Sequence, residues 1–118
     1  MAIIGMHALV YSKKDEETRK FFSDILGFKS VDAGRGWLIF KAPPAELAVH
    51  PVEDEEFHEL YLMCDDIDAT VAELNGKGVE TGEIMDRGWG RVSQITMPSG
   101  GELGLYQPQH PTAYNLPD

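Results

Sequence analysis

The side chains that could carry chemistry fall at matched places along the chain. His7 stands 52 residues before Glu59, and Trp37 stands 52 residues before Trp89. A histidine and a carboxylate can each donate to a divalent metal, act as a general base, or anchor a ligand by hydrogen bonding. Each also has a plain structural reading, His7 as a satisfied core residue and Glu59 as a surface charge. Glu59 alternates with Tyr61 and Met63, so a shared cavity face would demand that its carboxylate be paired or hydrated. Trp37 and Trp89 close the tripeptides Arg35-Gly36-Trp37 and Arg87-Gly88-Trp89, and they either wall a pocket by stacking or seal two hairpins. Arg91 can grip an anionic substrate group bidentately or an acidic surface side chain equally well. Tyr61 and Tyr106 pair an apolar body with a hydroxyl, which suits a core or a pocket. His58 and His110, in a connector and a tail, receive no role, and Asp54-Glu55-Glu56 lacks the spacing of a calcium loop. No phosphate-cradling loop, G-x-S-x-G elbow or paired-cysteine zinc pattern is present.

Two copies of one unit must position these residues. Glu46-Leu47 recurs as Glu102-Leu103 at an offset of 56, so the second copy holds about four extra residues between landmarks. In the first copy, Ile3 to Ser12 reads as a strand and Asp15 to Leu26 as a helix with acidic residues in its first turn. Thr18, Phe22, Ile25 and Leu26 share its buried face, and Gly27 is placed to end it in a left-handed conformation. Strands are expected around Phe28 to Ala33, Trp37 to Lys41 and Glu46 to Val52. In the second copy, Phe57 to Cys64 is a strand and Asp66 the helix N-cap. Ile67, Val71 and Leu74 mark the buried face, and Asn75 to Gly78 ends the helix. Val79 to Met85, Gly90 to Met97 and Glu102 to Gln107 are the remaining strands. The expectation is a single α+β domain over 1–118, with βαβββ repeats at about 3–52 and 57–108 and a tail at 109–118. Set side by side, the two units curve into a half-open trough suited to a small molecule.

The chain has 118 residues, 42% hydrophobic and 25% charged, which is ordinary for one globular domain and enough for a core without staples. Twenty acidic against ten basic residues give a net charge of −10. That field repels nucleic acid and anionic lipid, and no basic stripe overrules it. Apolar runs such as Leu60 to Cys64 are far shorter than the ~20 residues of a membrane span. The opening residues lack the charged-then-apolar plan of a signal peptide. The single Cys64, inside an apolar run, reads as a small core residue in a reducing compartment, so a cytoplasmic location is expected.

The pattern His7-Ala-Leu-Val-Tyr11 followed by Phe21-Phe22-Ser-Asp-Ile-Leu26-Gly27-Phe28 resembles the opening of the vicinal-oxygen-chelate superfamily. Trp89-Gly90-Arg91, then Pro98-Ser-Gly100-Gly-Glu-Leu-Gly104-Leu-Tyr106-Gln-Pro108, is similar to the final hairpin of those proteins, and Asp65-Asp66-Ile67-Asp68 to the entry of their second helix. The resemblance spans roughly residues 3–108 and includes glyoxalase I, extradiol dioxygenases and bleomycin and fosfomycin resistance proteins. It implies their fold, the glyoxalase/bleomycin resistance/dihydroxybiphenyl dioxygenase fold, and a homodimer with jointly completed clefts.

Family enzymes hold one divalent metal in the trough. By the resemblance, the first-strand ligand position falls on His7, and the fifth-strand position, where a histidine is common, on Glu59. The other two positions fall on Ala48 and Gly104, which have no donor. Glu46, His50 and Glu102 lie two residues away on the same faces, but that is a rise of roughly 6.6 Å, far beyond the ~0.2 Å tolerance of a metal–ligand distance. The small residues have a positive reading, as room for a bulky ligand. The expected pocket therefore comprises His7, Trp37, Ala48, His50, Glu59, Tyr61, Trp89, Arg91, Gly104 and Tyr106. The resemblance implies a small-molecule-binding protein, and the missing donors at Ala48 and Gly104 lead to the expectation that its family-type metal site is incomplete. The alternative is a metal-dependent lyase or dioxygenase in which His7 and Glu59 help hold iron, manganese, nickel or zinc.

Overall fold

Charge and capping fix the two helices. The computed structural model describes residues 7–117. In α1 (Asp15–Asp24), Asp15, Glu16 and Glu17 crowd the first turn at the positive end of the helix dipole, and Arg19 reaches back to Asp15 at 2.6 Å. Thr18 and Phe21 are its buried residues, so Phe21 joins the core in addition to the expected Phe22 face. The helix stops two residues before Leu26, where Ile25 and Leu26 both donate their N–H to the Phe21 carbonyl, and Gly27 follows at φ +73°. In α2 (Ile67–Gly76), the Asp66 carboxylate accepts the Ala69 N–H at 3.0 Å, as an N-cap should. Ile67 and Leu74 are buried and Val71 packs partly against the core.

The strands form two open sheets. In the first half, β1 (Ser30–Asp32) and β2 (Leu38–Phe40) make an antiparallel hairpin. In the second half, β3 (Tyr61–Met63), β4 (Met85–Asp86), β5 (Gly90–Thr96) and β6 (Glu102–Pro108) make one sheet in the order β3-β6-β5-β4. β3 runs parallel to β6, and the remaining pairs are antiparallel. This is the βαβββ unit read from the second copy. Leu103, Leu105 and Ile95 point from the sheet onto Ile67 and Leu74 of α2, and Phe21 of α1 and Met97 complete the core.

The first copy departs from the reading in its outer strands. Of the strand expected over 3–12, residues 3–6 lie outside the described residues, and 7–12 form no ladder. The strand expected over Glu46 to Val52 likewise forms no ladder, and Phe57 to Leu60 is not yet strand. Val79 to Met85 is reduced to the bridge Thr81–Ile95 and the start of β4. A strand is a property of a pair, because its N–H and C=O groups need an opposing edge. Among the described residues, 7–12 and 46–52 meet no such edge, and Tyr11 and Val49 stand 89% and 91% exposed. Among the described residues, no helix is long and apolar enough to cross a membrane.

Asp66→Ala leaves one more backbone donor at the start of α2 without a partner. It is expected to lower unfolding free energy by about 1 kcal/mol, read from urea denaturation with an unchanged slope. No change would mean that solvent caps the helix equally well.

Candidate functional site

The sheet's two faces divide by residue parity. Residues 93, 95, 103 and 105 face α2, so Tyr61, Met63, Val92, Gln94, Gly104 and Tyr106 face the other way. On that face Tyr61 stands directly across the parallel ladder from Gly104. A Cβ on Gly104 would lie 2.7 Å from Tyr61 Cε1 and 2.9 Å from its Cγ, and closer still to Cδ1. The ring of Tyr61 thus lies over the bare backbone. The room that Gly104 was expected to leave for a ligand is occupied by Tyr61.

Tyr61, Trp89 and Tyr106 meet as an aromatic triad. Tyr61 and Trp89 are 6.1 Å apart and nearly perpendicular, Tyr61 and Tyr106 are 5.6 Å apart, and Trp89 and Tyr106 are 5.5 Å apart. All three contacts are edge to face, the arrangement that sets a ring's positive edge on its neighbour's negative face. Behind them, the Tyr106 hydroxyl donates to Glu46 Oε1 at 3.1 Å, and the Ala113 N–H donates to Glu46 Oε2 at 2.7 Å. His110 stacks on Tyr106 with ring centroids 6.0 Å apart. Burial, then the Glu46 carboxylate, push the Tyr106 phenol up to about 12. The Ala113 N–H and the Tyr106 hydroxyl hold Glu46 below the usual carboxylate range, against the opposing effect of burial. Burial, then the nearby Glu59 carboxylate, raise Tyr61 as well.

An open cavity of about 680 Å³ lies in front of the triad. Of the residues singled out in the sequence, Tyr61, Trp89, Gly104 and Glu59 line it. Leu9, Val10 and Tyr11 of the unpaired first segment face it too, together with Glu83, Arg87, Glu102 and His58. Tyr106 stands behind the wall rather than in it. The other expected residues lie elsewhere. Arg91 shares the parity of Ile95, so it points to the helix side and grips Asp68 in a bidentate pair at 2.7 and 3.1 Å. Its guanidinium holds the Asp68 carboxyl below the usual range. Trp37 carries the Arg19 guanidinium over its ring at 5.3 Å, beside α1. His7, Ala48 and His50 are exposed and do not line the cavity. Cys64 is half-buried, its thiol pushed up by burial and donating to the Tyr106 carbonyl at 3.6 Å.

Two of the four matched ligand positions, Ala48 and Gly104, carry no donor side chain. Gly104 is roofed by the Tyr61 ring, and Ala48 offers no donor. Among the described residues, no three His, Cys, Asp or Glu side chains come together as a cation site. Sequence reasoning passed over His110, His58 and the contact of Glu46 with Tyr106. The shared parity of residues 46 and 48 flagged Glu46 only as a displaced ligand, and the proline-rich tail has no periodicity that could have placed His110.

The model of the Glyoxalase/Bleomycin resistance protein/Dioxygenase superfamily matches residues 6–103. Among solved structures, TnmS3, an antibiotic binding protein from Streptomyces sp. CB03234, is 27% identical with a TM-score of 0.69, covering 92% of this chain and 99% of that one. Lactoylglutathione lyase from Agrobacterium tumefaciens is 14% identical with a TM-score of 0.63, covering 88% and 92%, a likeness of fold. An integron cassette protein from the mobile metagenome of a Halifax Harbour sewage outfall is 23% identical with a TM-score of 0.61, covering 89% and 99%. A comparison with curated protein sequences finds no match.

Gly104→Ala is expected to cost about 1–3 kcal/mol by forcing the Tyr61 ring off the sheet. In the double-mutant cycle with Tyr61→Ala, urea denaturation should show a second substitution that costs much less than the first. Simple additivity would mean that the ring and the glycine do not depend on each other.

Proposed function

We propose that this chain, which belongs to the Glyoxalase/Bleomycin resistance protein/Dioxygenase superfamily, binds a planar, amphipathic small molecule in the cavity before Tyr61 and Trp89. The observation that carries this reading is the perpendicular meeting of those two rings at the cavity wall, which offers a ligand one aromatic face and one aromatic edge. The cavity's volume of about 680 Å³ is in the range of sites for drug-sized ligands. Three carboxylates, Glu59, Glu83 and Glu102, surround it against the single guanidinium of Arg87, in a chain of net charge −10. That potential favours neutral or cationic ligands and disfavours anionic ones. The antibiotic binding described for TnmS3 agrees with this class of activity. On this reading the protein sequesters its ligand without a family-type metal centre, since Ala48 and Gly104 supply no donors.

The working unit on this reading is a homodimer. Among the described residues, 7–12 and 46–52 pair with no strand and expose apolar side chains such as Leu9 and Val49, and a second copy can supply the edges they lack while closing the cavity's open side. The half-buried free thiol of Cys64 suits a reducing compartment, which supports a cytoplasmic location on this reading.

Metal content of protein purified without a chelator, followed by divalent-ion titration, tests the metal-free reading. Near-stoichiometric iron, manganese, nickel or zinc that confers turnover would overturn it. Binding is tested with proflavine, a planar aromatic cation, and with the anionic dye anilinonaphthalene sulfonate. Proflavine should bind more tightly, and Trp89→Ala should weaken it by about 1 kcal/mol. A preference for the anionic dye would contradict the charge argument. Light scattering after size exclusion should give twice the chain mass, and a monomer at micromolar concentration would refute the dimer.

A further inference from the structure

Residues 42–58 form no helix or strand. Among the described residues, every hydrogen bond they make to the remainder of the chain passes through the carboxylate of Glu46. That side chain is only 15% exposed, although its own segment lies open to solvent. Its two oxygens do different work. Oε1 takes the Tyr106 hydroxyl at 3.1 Å, and Oε2 takes the Ala113 N–H at 2.7 Å. The chain beyond β6 therefore fixes the carboxylate, and the carboxylate fixes the phenol.

Tyr106 is held on its other sides as well. It is 8% exposed, and the His110 ring lies nearly parallel to it at 26°. His110 is itself oriented by a contact of Nδ1 with the Pro111 carbonyl at 2.8 Å, and its Nε2 lies 3.5 Å from the Tyr106 hydroxyl and 3.8 Å from Glu46 Oε1. The Gln109 N–H, one residue past β6, donates to the Trp89 carbonyl at 2.8 Å. Tyr106 is the shared neighbour of Tyr61 and Trp89, the two rings that face the cavity. A tilt of Tyr106 would bear on both, because its ring meets each of them edge to face at 5.5 to 5.6 Å between centroids.

We propose that Glu46 is a positioning residue for the aromatic wall of the cavity, clamped by the C-terminal segment 109–113, so that ligand affinity depends on chain that touches no ligand. The proposal rests on the binding reading of the cavity and adds the device that shapes it. The segment after the last strand is then part of the site rather than a loose end.

Two variants separate the carboxylate from the clamp. Glu46→Gln keeps the shape but converts one acceptor oxygen to a donor, and Ala113→Pro deletes the clamping N–H without touching Glu46. Both are made in a Trp37→Phe background, so that Trp89 is the sole reporter. Retained far-UV circular dichroism confirms folding. Both variants should shift Trp89 emission to the red and weaken proflavine binding about tenfold. After a pH jump, the last phenol to ionise, near pH 12 in the parent, should ionise earlier in Glu46→Gln, because the opposing negative charge is gone. A merely structural Glu46 would leave proflavine affinity and Trp89 emission unmoved while the phenol titration shifted, and that result overturns the proposal. Should proflavine not bind the parent at all, the cavity reading fails on its own. The link from Glu46 to the wall then stands on a Trp89 emission shift in both variants and falls if the emission stays put.

Discussion

The ring of Tyr61 rests on the backbone of Gly104, across a parallel pair of strands, in space that any Cβ at that position would fill. The cavity face is built outward from this contact. Parallel pairing puts the two residues in register, and register in a sheet with one face on a helix is strongly fixed, because a one-residue slip would turn Leu103 and Leu105 out of the core. The core on one face therefore dictates the seat on the other. Once Tyr61 lies against the sheet, it meets Tyr106 and Trp89, and Tyr61 and Trp89 form the wall of the cavity with Tyr106 behind them. The smallest residue of the last strand serves the largest group on the third.

Parity in β5 and β6 sorts the remaining chemistry. Odd positions there belong to the helix side, which makes Arg91 a partner of Asp68 at the start of α2. The pair joins helix to sheet from outside, where a partly exposed ion pair adds only modestly to stability but fixes orientation. Even positions belong to the cavity side, so Tyr106 is turned from the core and still becomes one of the most enclosed aromatic groups in the chain. Its enclosure comes from outside its own strand, from Glu46 sixty residues earlier in the chain and from His110 and Ala113 just after β6.

How far the fold was legible follows from which features are local. Asp66 capping a helix, Ile67 and Leu74 on its buried side, and the hairpin around Pro98 to Gly101 depend on neighbours within a few residues, and all three appear as read. The strands at 7–12 and 46–52 depend on an edge elsewhere, and the apolar and β-forming residues that suggested them make a strand only once such an edge is present. In the site, Tyr61, Trp89, Glu59 and Gly104 were legible through the repeat and the strand period, and they do gather at one cavity. The meaning of Gly104 was not legible. A glycine on a strand signals close approach by something, but only the cross-strand register says that the visitor is Tyr61 and not a ligand. Glu46 was legible as a carboxylate on the right face, while its partners lie in a tail whose conformation no periodicity encodes.

On the proposed reading, the acidity of the cavity and the loss of donor positions are two sides of one arrangement. Glu59 precedes β3, Glu83 precedes β4 and Glu102 opens β6, so the three carboxylates reach the cavity from separate elements and do not converge. Converging carboxylates would repel one another strongly enough to need a cation between them. Spread around a rim, each stays hydrated, and together they set a negative potential over an opening whose wall is aromatic. A ring bearing delocalised positive charge satisfies both features at once, because the aromatic faces attract it at short range and the carboxylates at long range. Placing a donor at residue 104 would bring its Cβ onto the Tyr61 ring and push that ring off the backbone, so on this reading the aromatic wall and a donor at that position compete for the same space.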